Sequence, residues 1–171
     1  MSKVGRNAFN AAKAIQAAVD LQLGPPEEGR RSEKQLVLPF SLVRGTRGYI
    51  ERVTNQINGC YENGWYDSAA VMIRRLLETL IIESFEHHNI TPKIQNASGD
   101  FMYLRELIDA CLNESVWNLS RNCKRAMPKL KDIGDKSAHS RRYNAHRGDI
   151  APLAGDIRLV VQELIYLADL K

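Results

Sequence analysis

The chain has 171 residues, of which 44% are hydrophobic and 26% charged, and its formal net charge is +4. This length suits one soluble domain that is large enough to bury a core. The three cysteines are odd in number and far apart, so they predict neither a disulfide framework nor a paired-cysteine zinc site, and we expect a cytoplasmic protein. No apolar run approaches the ~18 residues of a membrane span, so we expect no membrane partner.

The N-terminal region is predicted to form one helix followed by a charged linker. Its apolar residues recur every three or four positions, as on one face of a helix: Ala8, Ala12, Ile15, Val19 and Leu23. Gly24 and the two prolines after it end this helix. Pro39 argues against a central strand in the apolar segment 36–40, which we expect to lie extended over a helical core. We therefore treat residues 1–40 as a helical appendage with its linker, and residues 41–171 as a separate domain.

The domain of residues 41–171 is predicted to be an all-α antiparallel bundle. An apolar stripe over 50–60 ends at Asn63 and the glycine after it, a favourable helix stop. The longest helix is expected from about 67 to 88, with Asp67 or Ser68 as its cap. Apolar residues cover most of its circumference, which indicates a central, buried helix. The later elements are predicted to be a helix over 101–112, a short helix opened by Pro128, a polar loop over 141–149 and a last helix from Leu153 to Leu167.

Positive charge is concentrated between residues 121 and 147. The nine basic residues of this window are Arg121, Lys124, Arg125, Lys129, Lys131, Lys136, Arg141, Arg142 and Arg147. Only two aspartates oppose them, so the window carries +7 and the rest of the chain −3. Such a concentration is typical of surfaces that bind phosphate groups, although a solvated charged face is the simpler alternative. The residues predicted to bind RNA or another polyanion are Arg125, Lys129, Lys131, Lys136, Arg141 and Arg142.

His139 lies inside the same basic window. A histidine with an unperturbed pKa of about 6.5 can act as a general base or acid near neutral pH, and neighbouring cations can hold a scissile phosphate. Lys131, one turn before Gly134 on the same helical face, and Arg141 are the candidate cations. His139, Lys131 and Arg141 would together form the minimal site of a metal-independent ribonuclease. A structural histidine that hydrogen-bonds across the bundle is the alternative.

Other chemistry is less well supported by the sequence. His87 and His88 are adjacent and would point apart on a helix, whereas metal ligands need i, i+4 spacing, so we expect no metal site. Glycine-rich nucleotide-binding motifs are also missing from the sequence, and we expect no cofactor. On the central helix, Arg74 and Arg75 lie four and three residues before Glu78, which allows an ion pair. We predict that this pair is structural and partly buried.

Residues 64–78 (GWYDSAAVMIRRLLE) and 133–139 (IGDKSAH) carry a recognisable pattern. Together they resemble the bacterial domain of unknown function 4145, which shows a Gly-x-Tyr-x-x-Ala start, an Arg–Leu–Glu central helix and a later Gly-Asn-x-Ala-Ala-His segment. The resemblance covers about residues 45–170. That family is similar to the HEPN superfamily of helical domains, which commonly dimerise. Many HEPN members are RNases of toxin–antitoxin, restriction and anti-phage systems, and others only bind nucleic acid or scaffold a complex.

The HEPN catalytic signature is an arginine, usually followed by a polar residue, with a histidine four to six residues later. If His139 is that histidine, Asp135 takes the polar position and Gly134 stands where the arginine is expected. Because glycine has no side chain to hold a phosphate, the resemblance implies inefficient catalysis unless Lys131 or Arg141 replaces the arginine.

Three hypotheses follow. The favoured one is a HEPN-like, homodimeric domain that binds nucleic acid or regulates a partner protein in a bacterial defence or toxin–antitoxin system, without efficient catalysis. The second is an active metal-independent endoribonuclease that uses His139 with Lys131 or Arg141. The third is a protein-interaction module whose basic strip binds an acidic partner.

Overall fold

The computed structural model describes residues 3–22 and 37–171, and the all-α prediction is confirmed for them. Within these ranges the only β-type pairing is an isolated bridge between Gln95 and Phe101. The chain divides into two compact units, Met1–Arg30 and Arg31–Lys171. In neither described range does a helix combine the length and the apolar character that a bilayer crossing requires.

The first unit contains helix α1, Lys3–Gln22, as the Ala-rich stripe predicts. Three of its large apolar side chains, Val4, Phe9 and Ile15, are exposed. The predicted stop at Gly24 and the charged linker lie outside the described residues.

The second unit is a bundle of helices. Its α-helices are α2 (Phe40–Val43), α3 (Gly48–Glu62), α4 (Tyr66–His87), α5 (Leu104–Asn113), α6 (Arg121–His139), α7 (Arg147–Ile150) and α8 (Ala154–Leu167). Short 3₁₀ turns lie at Thr91–Ile94 and Ala151–Leu153. The helices α3 and α4 are antiparallel, because Tyr61 packs on Tyr66 beside the turn that joins them while Arg47 pairs with Glu83 at their other ends.

Helix α4 is the central element, as its nearly continuous apolar surface predicts. It contacts α3, α5, α6 and α8. Leu76 and Leu80, which a central helix is expected to bury, are 1% and 0% exposed. A buried charge on the same helix, Glu83, accepts a hydrogen bond from Arg47 Nε at 2.8 Å, so it is not left uncompensated in the core.

The turn between α3 and α4 confirms one predicted boundary and corrects another. Gly64 has a φ of +78°, and the Trp65 N–H donates to the Cys60 carbonyl at 2.8 Å, which closes the C-terminus of α3 as a glycine stop does. The prediction that Asp67 or Ser68 caps α4 was wrong, because the helix already begins at Tyr66. The Asp67 carboxylate instead accepts a hydrogen bond from the Ala145 N–H at 2.9 Å.

Helix α6 is much longer than the sequence predicts. Pro128 does not open it but lies inside it, eight residues into a helix that begins at Arg121 with Ser120 Oγ accepting from the Cys123 N–H. The side chain of Pro128 is exposed. Six buried residues recur every three or four positions through the proline: Cys123, Ala126, Met127, Leu130, Ile133 and Gly134. We infer that their burial offsets the roughly 3 kcal/mol that an interior proline costs.

Three smaller predictions are also corrected. Phe101 lies outside α5, which begins at Leu104, and the predicted polar loop contains the single turn of α7. In the apolar segment 36–40, Phe40 already starts α2. Val37 and Leu38 are fully buried, and the Asn58 side-chain amide donates to the Leu38 carbonyl at 2.7 Å while its oxygen accepts from the N–H groups of Val37 and Leu38.

Candidate nucleic-acid interface

Gly134 lies at a close contact between α4 and α6. A Cβ added to it would lie 2.5 Å from Arg74 Cβ, closer than packed atoms allow, and a tight 3.1 Å from the Ala70 carbonyl oxygen. The residue is buried between the two helices. Glycine is therefore required here by packing, and this explains why a side chain that could hold phosphate is missing at the position of the expected arginine.

An ion-pair network covers Gly134. Arg74 Nε donates to Asp135 Oδ1 at 2.7 Å, and Lys131 Nζ donates to Asp135 Oδ2 at 2.5 Å. Arg74 Nη1 also lies 3.4 Å from Glu78 Oε2. Partial burial opposes the ionisation of Asp135, but hydrogen bonds from Lys131 and Arg74 outweigh it and lower the pKa of this carboxyl. The two cations and two carboxylates balance, so Lys131 offers little net charge to a phosphate.

The predicted charges of the central helix separate into two environments. Arg74 pairs with Glu78 as predicted, but its shorter contact is with Asp135. Asp135 lies on α6, so the i, i+4 spacing within α4 could not predict this contact. Arg75 is exposed, and its backbone carbonyl accepts a hydrogen bond from Thr79. Arg74 is therefore the member that fixes α4 against α6.

His139 is the last residue of α6 and is exposed. Helix α6 runs antiparallel to α4, because Trp117, shortly before α6, packs on Phe85 near the end of α4, while Gly134 lies beside Ala70 and Arg74. The end of α6 is therefore level with the first turn of α4. The segment that follows, residues 140–146, is termed the basic loop. We use the term loop end for the end of the bundle that holds the basic loop, the C-terminus of α6 and the α3–α4 turn.

The basic loop is held at several points against the bundle. Its Ala145 is buried and bonded to Asp67, and the His146 N–H donates to Asp149 Oδ2 at 2.7 Å. Just beyond the loop, Arg147 Nε donates to the Tyr61 hydroxyl at 3.3 Å. Burial, followed by the nearby carboxylates of Asp149 and Asp67, raises the pKa of the Tyr143 hydroxyl within the loop. The exposed arginines of the loop therefore lie between two anchored points, the Ser140 N–H bonded to the Lys136 carbonyl and the Ala145 N–H bonded to Asp67.

The basic residues of the window 121–147 differ in their partners. Lys129 Nζ lies 3.0 Å from Asp156 Oδ2, and Lys131 is bound to Asp135. Seven others are exposed and, within residues 3–22 and 37–171, make no ion pair, but one of them, Arg147, donates from its Nε to the Tyr61 hydroxyl. We call the remaining six the exposed cations. They are Arg121, Lys124, Arg125, Lys136, Arg141 and Arg142.

The exposed cations form two groups along α6. Lys136, Arg141 and Arg142 belong to the loop end together with His139, whereas Arg125 lies eleven residues before Lys136. At 1.5 Å per residue this separation is about 16 Å along the helix axis, too long for both to contact one phosphate. Of the predicted binding residues, Lys136, Arg141 and Arg142 thus belong to the loop end, Arg125 lies about 16 Å farther along α6, and Lys129 is paired with Asp156.

Metal and thiol chemistry find little support in the described parts of the chain. No group of three or more His, Cys, Asp or Glu side chains there converges as metal ligands would. Burial raises the pKa of the Cys111 thiol to about 12 and raises the pKa of Cys123 as well. Both thiols therefore stay protonated at neutral pH and are poor nucleophiles.

A groove of about 550 Å³ lies along α8 and is lined mainly by apolar side chains, among them Leu119, Leu159 and Ile165. It contains none of the predicted site residues. The basic candidate site is distinct from this groove, and its His139, Arg141 and Arg142 are exposed at the surface.

The aromatic residue that sequence reasoning overlooked is Trp65. Two aromatic residues in or near the basic window are less accessible than Trp65. Trp117 is only 9% exposed and donates its indole N–H to the Cys111 carbonyl, and Tyr143 is partly buried, with its hydroxyl out of contact with solvent. Trp65 is 61% exposed. The exposure of Trp65 could have been predicted from its position directly after Gly64, which ends the helix. A large apolar residue in such a turn does not belong to the buried face of a helix.

Comparison of the chain with protein-family models, with curated proteins and with solved structures finds no match.

Proposed function

We propose that this protein binds RNA or another polyanion at the loop end, as a HEPN-like binding or regulatory domain of a bacterial defence or toxin–antitoxin system, without efficient catalysis. The observation that carries the proposal is the group of exposed cations Lys136, Arg141 and Arg142 at the loop end, where Asp67 anchors the basic loop through the Ala145 N–H. A cluster of cations attracts phosphates and releases their counterions on binding. The helical bundle is compatible with the family resemblance of residues 45–170.

Binding is favoured over cleavage because cations near His139 are already paired with a carboxylate. The expected arginine is replaced by Gly134, and both Lys131 and Arg74 are bound to Asp135. Of the two cations proposed to assist His139, this leaves only Arg141, which lies in the basic loop and not on α6, so we expect weak stabilisation of a developing phosphate charge. We therefore expect RNA to remain intact in EDTA. Rapid cleavage in EDTA that is lost in the His139→Ala variant would contradict this and favour the endoribonuclease hypothesis.

The binding test is a titration of labelled single-stranded oligouridylate at several salt concentrations. The double variant Arg141→Ala/Arg142→Ala should bind more weakly and reduce the salt slope by about 1.4, since each phosphate contact to a single strand contributes about 0.7. His139→Ala should bind nearly as the wild type does.

The matched control is Arg52→Ala/Arg105→Ala, which removes the same charge from exposed arginines on α3 and α5. This variant should keep the wild-type salt slope. If both double variants lose the same affinity for oligouridylate, binding depends on the net charge of the protein and not on the loop end. No binding by the wild type to any nucleic acid at low salt would refute the proposal and leave the protein-interaction module as the better hypothesis.

A further inference from the structure

Trp65 presents a large aromatic ring from a fixed backbone. Its N–H is bonded to the Cys60 carbonyl at 2.8 Å, and the preceding Gly64 has the left-handed conformation that this turn requires. The side chain nevertheless remains 61% exposed. The point of attachment is thus held in place while the ring is accessible, which is the condition for a stacking surface that loses little conformational entropy on binding.

Contacts on both sides of Trp65 connect it to the basic loop. Four residues before it, Tyr61 accepts a hydrogen bond from Arg147 Nε at 3.3 Å and packs edge-on against Tyr66 with 5.5 Å between ring centres. Two residues after it, Asp67 binds the Ala145 N–H at the end of the basic loop. Trp65 therefore lies at the same end of the bundle as Arg141, Arg142 and His139.

An exposed indole and exposed arginines at the same end of the bundle match the two parts of a single-stranded nucleic acid, its bases and its phosphates. The arginines bind phosphates, and the indole offers a face on which an unpaired base can stack, whatever its identity. In a duplex the base faces are already covered by neighbouring bases, so a duplex would use the cations but not Trp65. The ring is thus the feature that distinguishes between the two ligands.

We propose that Trp65 is a base-stacking residue and that the loop end binds single-stranded nucleic acid in preference to duplex. This inference rests on the proposed function, since stacking adds to phosphate binding by the same surface.

The test compares three probes: an oligouridylate, an abasic ribose-phosphate oligomer of the same length, and an RNA duplex. Trp65→Ala should weaken oligouridylate binding about five- to 150-fold, the loss typical of one base–aromatic stack, and should leave binding of the abasic oligomer unchanged. Trp65→Phe retains a ring and should lose less. Oligouridylate should also quench the tryptophan emission of the wild type, and this quenching should disappear in Trp65→Phe, where only the buried Trp117 remains.

The matched control is Tyr166→Ala on α8, which removes an aromatic ring that is 79% exposed. It should bind all three probes as the wild type does. If Trp65→Ala binds oligouridylate with wild-type affinity while Arg141→Ala/Arg142→Ala does not, the stacking role is refuted and the phosphate-binding function stands. If the wild type binds none of the probes at low salt, both proposals fail.

Discussion

At Gly134, helix packing requires a residue without a side chain, whereas the HEPN signature would place an arginine there. Gly134→Ala adds a Cβ that would lie 2.5 Å from Arg74 Cβ, so α4 and α6 must separate or distort. We expect this variant to lose about 1–3 kcal/mol of unfolding free energy, the usual range for overpacking, as measured by urea denaturation. Gly134→Arg, which would introduce the arginine that the HEPN signature has four to six residues before its histidine, should for the same reason misfold and not gain activity.

The control for this prediction is Gly155→Ala on α8. A Cβ there meets no atom within 4 Å, so the substitution adds helix propensity without a clash and should stabilise the protein by up to about 1 kcal/mol. A Gly134→Ala variant as stable as the wild type would mean that the two helices do not approach each other as closely as described.

Asp135 makes the stability of the protein depend on pH. Its pKa is lowered in the folded state, so its ionised form contributes stability above its unfolded pKa of about 3.9, and this contribution is lost as the pH falls through the folded value. Asp135→Asn should therefore cost about 1 kcal/mol of unfolding free energy at pH 7, as expected for a partly exposed ion pair. The difference from the wild type should shrink as the pH falls below about 4.

Asp132→Asn is the matched control for this measurement. Asp132 is a neighbour on α6 whose side chain is 66% exposed and lies 4.0 Å from Lys131. Its replacement should change the unfolding free energy very little at either pH. A pH-independent difference between the wild type and Asp135→Asn would show that the carboxyl does not act through its charge.

Among the helices, apolar periodicity predicted α3, α4 and α8 well because each has an uninterrupted buried stripe. It failed for α6, where Pro128 suggests a boundary and the buried stripe is built partly from small residues such as Ala126 and Gly134. Intrinsic propensity describes a residue in isolation, whereas the six buried positions of α6 are stabilised by α4 and α8. The sequence alone could not show that this tertiary packing would outweigh the proline.

The central position of α4 can be tested by substitution within that helix. Leu76 is 1% exposed, and Leu76→Ala should reduce the unfolding free energy by about 2–5 kcal/mol, because it removes buried methyl groups and leaves a cavity. The adjacent Arg75→Ala, at an exposed position, should change it by less than about 0.5 kcal/mol. A loss below about half a kcal/mol for Leu76→Ala would contradict the placement of α4 at the centre.

At the scale of the whole molecule, the sequence predicted a basic surface, but it did not predict which basic residues are paired with carboxylates and which are exposed without an ion pair. Counting charges along the chain could not show that Asp156 from α8 neutralises Lys129, or that Arg74 and Lys131 share Asp135. Nor could it place Trp65 beside the basic loop, because that depends on the Asp67–Ala145 hydrogen bond across 78 residues. Contacts between distant segments decide which charges remain available.

The resemblance to the HEPN superfamily predicts that two copies associate. A two-fold dimer would bring two sets of exposed cations onto one particle, which increases the attraction for a polyanion over that of one chain. Light scattering should then give a mass twice the 19.3 kDa of the chain at high micromolar concentration. A mass of one chain at that concentration would contradict the expectation, and RNA binding at the loop end would then be a property of the monomer.

The salt dependence of binding should show how far a bound strand extends along α6. If only Lys136, Arg141 and Arg142 contact phosphates, the slope for oligouridylate should be about −2, whereas contacts by all six exposed cations would give about −4. Trp65 lies at the loop end, so we expect the smaller value. The variant Arg121→Ala/Arg125→Ala, which changes only the opposite end of α6, should then keep both the affinity and the slope of the wild type. A slope near −4 that falls equally in this variant and in Arg141→Ala/Arg142→Ala would instead mean that the strand follows the whole helix.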